Sequence, residues 1–138
     1  MKIILDAMGG DNAPLAVLEG AAAAVKEYGV QLIGVGDEAL VRKTAADNNI
    51  SLDGIELVNC TEVIEMCDEP TAAIRGKKDS SMVVGLRMLA AGEGDAFVSA
   101  GSTGALLAEE FSHTKRGPSV FDFGDGSYND SRVVAKIK

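Results

Sequence analysis

Residues 2–12, Lys-Ile-Ile-Leu-Asp-Ala-Met-Gly-Gly-Asp-Asn, join a short apolar run to a loop that contains a pair of glycines. The run from Lys2 to Leu5 predicts a buried strand, and the glycine pair removes Cβ hindrance from the loop after it. Pro14 suits the first turn of a helix, with Asn12 or Ala13 at the cap position and Asn12 the better capping residue. A strand, a glycine loop and a helix in this order indicate an α/β protein.

Apolar runs alternate with helical patterns as far as about residue 108. Three further runs predict strands: Val30 to Val35, Ile55 to Val58 and Ala96 to Ser99. Five segments predict helices: Pro14 to Gly29, Glu38 to about Asp47, Pro70 to Arg75, Asp79 or Ser80 to Gly92, and Ser102 or Thr103 to Ala108. Residues 59–69 show no clear period and are predicted to be a loop. This order favours a mainly parallel sheet with helices on its faces.

The sequence changes in character after residue 108. The segment 109–138 holds three of the four Phe residues and the single His. Within it Phe121, Phe123 and Tyr128 alternate weakly with polar residues. An irregular hairpin, a partly disordered tail and an appended segment all fit this pattern. We therefore divide the chain into an α/β region, 1–108, and an unrecognised segment, 109–138.

Length and composition restrict the function classes. The chain has 138 residues, enough for about one domain, with 46% apolar and 25% charged residues as in ordinary soluble proteins. Its formal net charge of −8 argues against a nucleic-acid partner. The apolar run near the N-terminus is too short for a signal peptide or a membrane span. We expect a cytoplasmic protein whose membrane contact, if any, is peripheral.

Neither a metal nor a cofactor is expected. Cys60 and Cys67 have a spacing that fits no common zinc pattern, and His113 is the single histidine. We expect two free thiols in a reducing cytosol, with a disulfide or a metal clip as the alternative. Neither glycine loop has the Walker A ending or the dinucleotide fingerprint, which disfavours ATP and NAD.

The strongest candidate site is the loop Ser99-Ala100-Gly101-Ser102-Thr103-Gly104-Ala105, between a predicted strand and a predicted helix. Amides at a helix N-terminus and the positive end of its dipole attract anions such as phosphate. Gly101 and Gly104 allow close approach of the backbone, and the hydroxyls of Ser99, Ser102 and Thr103 add donors. The alternative is an ordinary strand-to-helix turn capped by Ser or Thr.

Two other segments carry charge near predicted helix starts. The loop with Gly9 and Gly10 is flanked by Asp6 and Asp11, which either orient a catalytic lysine or a substrate donor, or serve as caps and structural acceptors. The segment 75–78, Arg-Gly-Lys-Lys, places three cations within four residues of an acidic chain. It either binds an anion with the helix start that follows, or is a solvated turn balanced by Asp79.

Taken together, three motifs resemble the PlsX-type phosphate acyltransferases of bacterial phospholipid synthesis. They are Asp-Ala-Met-Gly-Gly-Asp at 6–11, Lys-Lys-Asp-Ser-Ser-Met at 77–82 and Ser-Ala-Gly-Ser-Thr-Gly-Ala at 99–105. The resemblance runs from Met1 to about Ala108. It implies a Rossmann-like αβα sandwich, acyl carrier protein thioester and inorganic phosphate as substrates, a homodimer and peripheral membrane attachment. Members of that family are far longer, and their later motifs have no counterpart here.

In the reaction that the resemblance implies, a phosphate oxygen attacks the thioester carbonyl, and oriented donors hold the two anionic partners together. Lys78, with Lys77, would balance charge while Asp6 and Asp11 orient it. The expected phosphate-binding residues are Ser99, Gly101, Ser102, Thr103, Gly104, Gly9 and Gly10. The expected docking surface for the acidic carrier protein is Arg75, Lys77, Lys78 and Arg87. The alternatives are a truncated, non-catalytic α/β fragment that binds anions or self-associates, and a general nucleotide- or CoA-ester-binding domain.

Overall fold

The computed structural model describes residues 1–106 and 108, and the backbone of 120–122, 128–129 and 133–135. Seven strands are present: β1 (Lys2–Asp6), β2 (Gln31–Gly36), β3 (Ile55–Asn59), β4 (Ala96–Val98), β5 (Val120–Asp122), β6 (Tyr128–Asn129) and β7 (Val133–Ala135). Four helices accompany them: α1 (Leu15–Tyr28), α2 (Glu38–Asp47), α3 (Pro70–Gly76) and α4 (Ser81–Ala90). Residues 103–106 begin a further helical turn.

The strands form one sheet in the order β3-β2-β1-β4-β7-β5-β6. The first four are mutually parallel, with Ile4 opposite Ile33 of β2 and Phe97 of β4. β7 is parallel to both β4 and β5, and β5 pairs antiparallel with β6. The prediction of a Rossmann-like α/β fold with a mainly parallel sheet is therefore confirmed. β5 and β6 follow the hairpin alternative for the last segment, whereas Phe123 lies outside the described residues.

Helices cover both faces of the sheet because successive strand residues point to opposite sides. Ile4 and Ile33 are buried in one core cluster with Phe97 and α4 residues such as Leu86. The neighbouring positions along β1 and β2 pack instead beneath α1, in a second cluster that includes Ala21. The glycine loops at the strand ends are therefore held between two packed layers.

The start of α1 differs from the prediction. Asn12 does not cap this helix with its side chain; the cap position is Pro14, which makes no side-chain cap hydrogen bond and follows a cis peptide. The glycine loop makes an additional turn first, in which the Ala13 amide donates to the Gly10 carbonyl at 3.3 Å. The predicted end of the helix is confirmed, since Gly29 has a left-handed φ of +63° and its amide donates to Val25.

The remaining helix starts have side-chain caps. Ser80, one of the two predicted alternatives, caps α4 by accepting a hydrogen bond from the Val83 amide at 3.3 Å. Asp79 instead accepts hydrogen bonds from the amide and hydroxyl of Thr61. Glu69 caps α3 through its carboxylate. None of the described helices is long and apolar enough to cross a membrane.

Candidate functional site

After β1 the chain continues on one face of the sheet, and after β4 it continues on the other face. A crevice lies between the ends of these two strands. β1 continues through α1 on one face, whereas the helical turn after β4 buries Ala105 and Leu106 beside α4 on the other face. In open α/β sheets, ligands bind outside the carboxyl ends of strands at such a switch point. A cavity of about 330 Å³ lies here, between the first glycine loop and Ala100.

The two glycine loops are in direct contact at this crevice. A Cβ on Gly9 would lie 2.6 Å from Asp6 Oδ2 and 2.9 Å from both Ser99 Oγ and the Gly101 amide nitrogen. Gly10 has a φ of +100°, and a Cβ there would lie 3.2 Å from the Ala100 carbonyl oxygen. Only residues without a side chain allow these loops to approach so closely.

A buried hydrogen-bond network centred on Asp6 holds the loops together. The Ser99 hydroxyl donates to Asp6 Oδ2 at 2.8 Å, and the Met8 amide donates to Oδ1 at 3.1 Å. The Ser81 hydroxyl and the Gly9 amide also hydrogen-bond this carboxylate. Burial nevertheless raises the pKa of Asp6, because these hydrogen bonds do not fully replace water around the charged form.

This network uses donors that were expected to face an anion. Ser99 Oγ accepts a hydrogen bond from the Gly101 amide at 3.0 Å while donating its own proton to Asp6. Ser102 Oγ accepts from the Ala105 amide at 3.3 Å and so caps the helical turn. Thr103 is half-buried at the start of that turn. The Ser99 hydroxyl and the Gly101 amide are therefore hydrogen-bonded within the protein.

Gly104 has a packing role that the sequence did not indicate. It is exposed at the start of the helical turn, and a Cβ on it would lie 2.9 Å from Pro70 Cγ. The missing side chain thus lets the turn after β4 lie close to the start of α3. Pro70 is the first residue of α3, and the basic segment 75–78 lies at the other end of this helix.

The predicted cations lie away from the crevice lining. Lys77 Nζ pairs with Asp68 and donates to the Val63 carbonyl at 2.8 Å, and its hydrogen bond to Asp68 raises the pKa of Lys77. Arg75, Lys78 and Arg87 are exposed. Among the described residues, those lining the crevice include Asp11 but neither a lysine nor an arginine.

A second cavity of about 470 Å³ lies on the other flank of the first glycine loop. Its walls combine the two glycine loops with residues 63–67 of the loop that precedes α3. This contribution could not be predicted from the sequence, because that stretch has no period and no recognisable motif. Glu65 and the exposed Cys67 face the solvent at this cavity.

The two cysteines have different environments, and neither forms a disulfide. Cys60 is buried, and burial together with the charges of Asp79 and Asp6 raises the pKa of its thiol to about 12. A thiol with this pKa stays protonated near neutral pH and is a poor nucleophile. Within residues 1–106, no cluster of three or more His, Cys, Asp or Glu side chains could hold a metal ion.

The fold and the crevice define an α/β protein with an open cavity at the switch point of a parallel sheet. Residues 1–120 match the family described as "Fatty acid synthesis protein", and the chain belongs to this family. A phosphate acyltransferase from Clostridioides difficile is 53% identical over 108 residues. Those from Herpetosiphon aurantiacus and Caldicellulosiruptor bescii are 50% and 52% identical over 108 and 109 residues. The resemblance inferred from the three motifs is confirmed.

These matches cover 78% of this chain but only 32%, 29% and 33% of the three relatives. The chain thus spans about a third of the length of the curated relatives it matches. The family match also continues past residue 108, to residue 120.

Proposed function

We propose that this chain forms the front part of a phosphate acyltransferase site, which transfers an acyl group from acyl carrier protein thioester to inorganic phosphate. The observation that carries the proposal is the meeting of the two glycine loops at the switch-point crevice, fixed by buried Asp6. The names of the relatives support the same reaction class.

In the proposed reaction a phosphate oxygen attacks the thioester carbonyl. The new carbon–oxygen bond gives acyl phosphate, the carbon–sulfur bond breaks, and the thiolate leaves on the carrier protein. Inorganic phosphate is already nucleophilic near neutral pH, so the site has to hold and orient the reactants. Gly10, which lines the crevice, forms the proposed phosphate cradle together with Ser102 and Thr103 of the second glycine loop.

Asp6 acts as a positioning residue in this proposal. It is 2% exposed, and its carboxylate is hydrogen-bonded to groups of the two glycine loops and of α4. Asp11, exposed at the crevice, is the carboxylate that can meet a substrate or a lysine. Lys78 lies outside the crevice lining. It is the proposed counter-charge for phosphate, because it makes no ion pair within the described part of the chain, whereas Lys77 is held by Asp68.

The proposed partners follow from the same reaction. Exposed Arg75, Lys78 and Arg87 form a surface for the acidic acyl carrier protein. A homodimer, a cytoplasmic location and peripheral membrane contact complete the proposal by analogy with the family.

Phosphate affinity tests this assignment directly. Lys78→Ala and Thr103→Ala should each weaken inorganic phosphate binding by about tenfold or more, because each removes a hydrogen-bond donor to a charged ligand. Lys43→Ala, an exposed lysine of α2, is the matched control and should leave the affinity unchanged. Calorimetric titration gives the constants. Equal affinity in all four proteins would refute the proposed cradle.

Turnover is the second test. Acyl phosphate is trapped as hydroxamate by hydroxylamine after the chain is mixed with acyl carrier protein thioester and phosphate. The same assay is run with the chain extended by the remaining two thirds of the Clostridioides difficile relative. Product from the extended chain that Lys78→Ala abolishes supports the assignment, whereas an extended chain that is active without Lys78 excludes that lysine.

A further inference from the structure

An apolar groove runs from the crevice along α1. The crevice itself is lined on one side by Ala13, Ala16, Val17 and Gly20, all at or near the N-terminal half of this helix. A third cavity, of about 140 Å³, lies further along the same helix. Both cavities are lined by Leu5 and Gly20, so they adjoin each other and together form the groove. From Ala16 to Tyr28 it follows about 18 Å of helix.

The two ends of this groove differ in chemistry. At one end the glycine loop contributes Asp6, Asp11 and backbone groups. The other end lies over the sheet and is lined by aliphatic side chains, alanines and Tyr28: Ile3, Leu5, Gly20, Ala21, Ala24, Tyr28, Val30, Leu32 and Val98. A ligand that fits this groove has a polar head and a single apolar tail.

Gly20 gives independent support for a ligand in the groove. A glycine inside a helix costs about 0.5–1 kcal/mol relative to alanine. Its φ is not positive, and a Cβ built on Gly20 would have no atom within 4 Å outside its own helix and chain neighbours. Neither backbone conformation nor packing in the described part of the chain therefore requires a glycine here. The absence of a side chain at Gly20 leaves open space in the groove.

We propose that this groove binds the acyl chain of the thioester substrate and of the acyl phosphate product. The inference rests on the proposed function, because it places the reacting carbonyl at the glycine loops. The first methylene is bonded to that carbonyl, so the alkyl chain has to leave the crevice along a wall that begins there. The wall of α1 begins at the crevice and is apolar, whereas the cavity on the other flank is lined by Glu65 in addition to Asp11, which both cavities share.

Alkyl phosphates test the groove separately from the chemistry. Calorimetry compares inorganic phosphate with octyl, decyl and dodecyl phosphate below their micelle-forming concentrations. For the parent chain, affinity should rise with tail length, by at most about fourfold per buried methylene. Gly20→Leu should bind dodecyl phosphate no better than inorganic phosphate, because leucine fills the groove. Ala23→Leu, on the exposed side of α1, is the matched control and should keep the length dependence.

A second variant makes the test independent of any single substitution. Ala24→Leu blocks only the far end of the groove, so octyl phosphate should still bind better than inorganic phosphate while dodecyl phosphate gains nothing further. Circular dichroism checks the folding of each variant. A parent chain without length dependence, or Gly20→Leu with unchanged length dependence, overturns the proposal.

The same titrations separate this inference from the proposed function. Length dependence without any binding of inorganic phosphate supports the groove and counts against the phosphate site. Binding of inorganic phosphate without length dependence supports the phosphate site and counts against the groove. Two further arms identify other occupants: vesicle sedimentation that Gly20→Leu abolishes would assign the groove to a membrane, and a lower mass of that variant in light scattering would assign it to a second copy. Either result would overturn the single-chain proposal.

Discussion

Gly9 and Gly20 lie in opposite environments, so adding a side chain should change stability in opposite directions. Gly9 is surrounded, and an added Cβ would lie 2.6 Å from the buried Asp6 carboxylate. Gly9→Ala should therefore lower the free energy of unfolding by about 2 kcal/mol through overpacking. Gly20→Ala, which meets nothing, should raise it by about 0.5–1 kcal/mol. Urea denaturation measures the free energy of unfolding of both variants. Two changes of the same sign would contradict this description of the two glycine environments.

Asp6 should make stability depend on pH. Burial raises its pKa above the ordinary value of 3.8, so folding favours the protonated form. Its contribution to stability is complete below about pH 3.8 and is lost as pH rises through the higher folded-state pKa. The unfolding free energy of the parent minus that of Asp6→Asn should therefore increase as pH falls from 7 towards 4.

Asp79 provides a control of opposite sign for that measurement. Hydrogen bonds from Thr61 lower the pKa of Asp79, so its contribution is present above the ordinary pKa and is lost as pH falls. The parent minus Asp79→Asn difference should therefore change little from pH 7 to 4 and should decrease as pH falls below about 3.8. If both differences change in the same direction, the environment assigned to Asp6 is wrong.

The residues that meet at the site were only partly predictable. Asp6, Gly9 and Ser99 follow strands that a parallel sheet places side by side, so their proximity follows from chain order. Ser81 was missed as a partner of Asp6, because a serine at the first turn of a helix looks like an ordinary cap. The only signal was a serine pair just before an apolar helix. The pairing of Lys77 with Asp68 was equally hidden, since the acidic partner lies in a loop without periodicity.

Among the elements, helix ends set by local chemistry are the most accurately predicted, and Gly29 is the clearest example. Its φ of +63° ends α1, and a Cβ there would have no neighbour within 4 Å. Gly29→Ala should thus lower the unfolding free energy by about 1 kcal/mol, through backbone conformation alone. Gly29→Asn should lower it less, because asparagine tolerates the left-handed region. Thermal unfolding of the three proteins checks this; an alanine variant as stable as the parent would contradict it.

Elements governed by non-local contacts were harder to predict. The first four strands, β1 to β4, were located to within one residue, because buried strands of a parallel sheet are continuous apolar runs. The start of α1 was wrong, since the extra turn at Ala13 depends on a hydrogen bond to the Gly10 carbonyl. Residues 63–67 line the second cavity and are held by contacts with residues further along the chain, such as the hydrogen bond from Lys77 to the Val63 carbonyl.

For the whole molecule, the helices divide between the two faces of the sheet. α1 and α2 pack together on one face, whereas α4 packs on the other with the basic segment just before it. The chain carries a net charge of −8, so this basic segment is a local exception on an acidic protein. A second acidic protein should therefore approach by the α4 face.

Charge reversal on the two faces tests this orientation. Arg75→Glu with Lys78→Glu should weaken binding of holo-acyl carrier protein by about tenfold or more at low ionic strength, because like charges then face each other. Lys26→Glu with Lys43→Glu changes the net charge equally but on the α1 and α2 face, and should have a much smaller effect. Raising salt from about 50 mM to about 500 mM shortens the screening length and should reduce the difference between the two double variants. Calorimetry measures all three affinities, and equal losses in both double variants would mean that net charge, rather than the α4 face, governs the encounter.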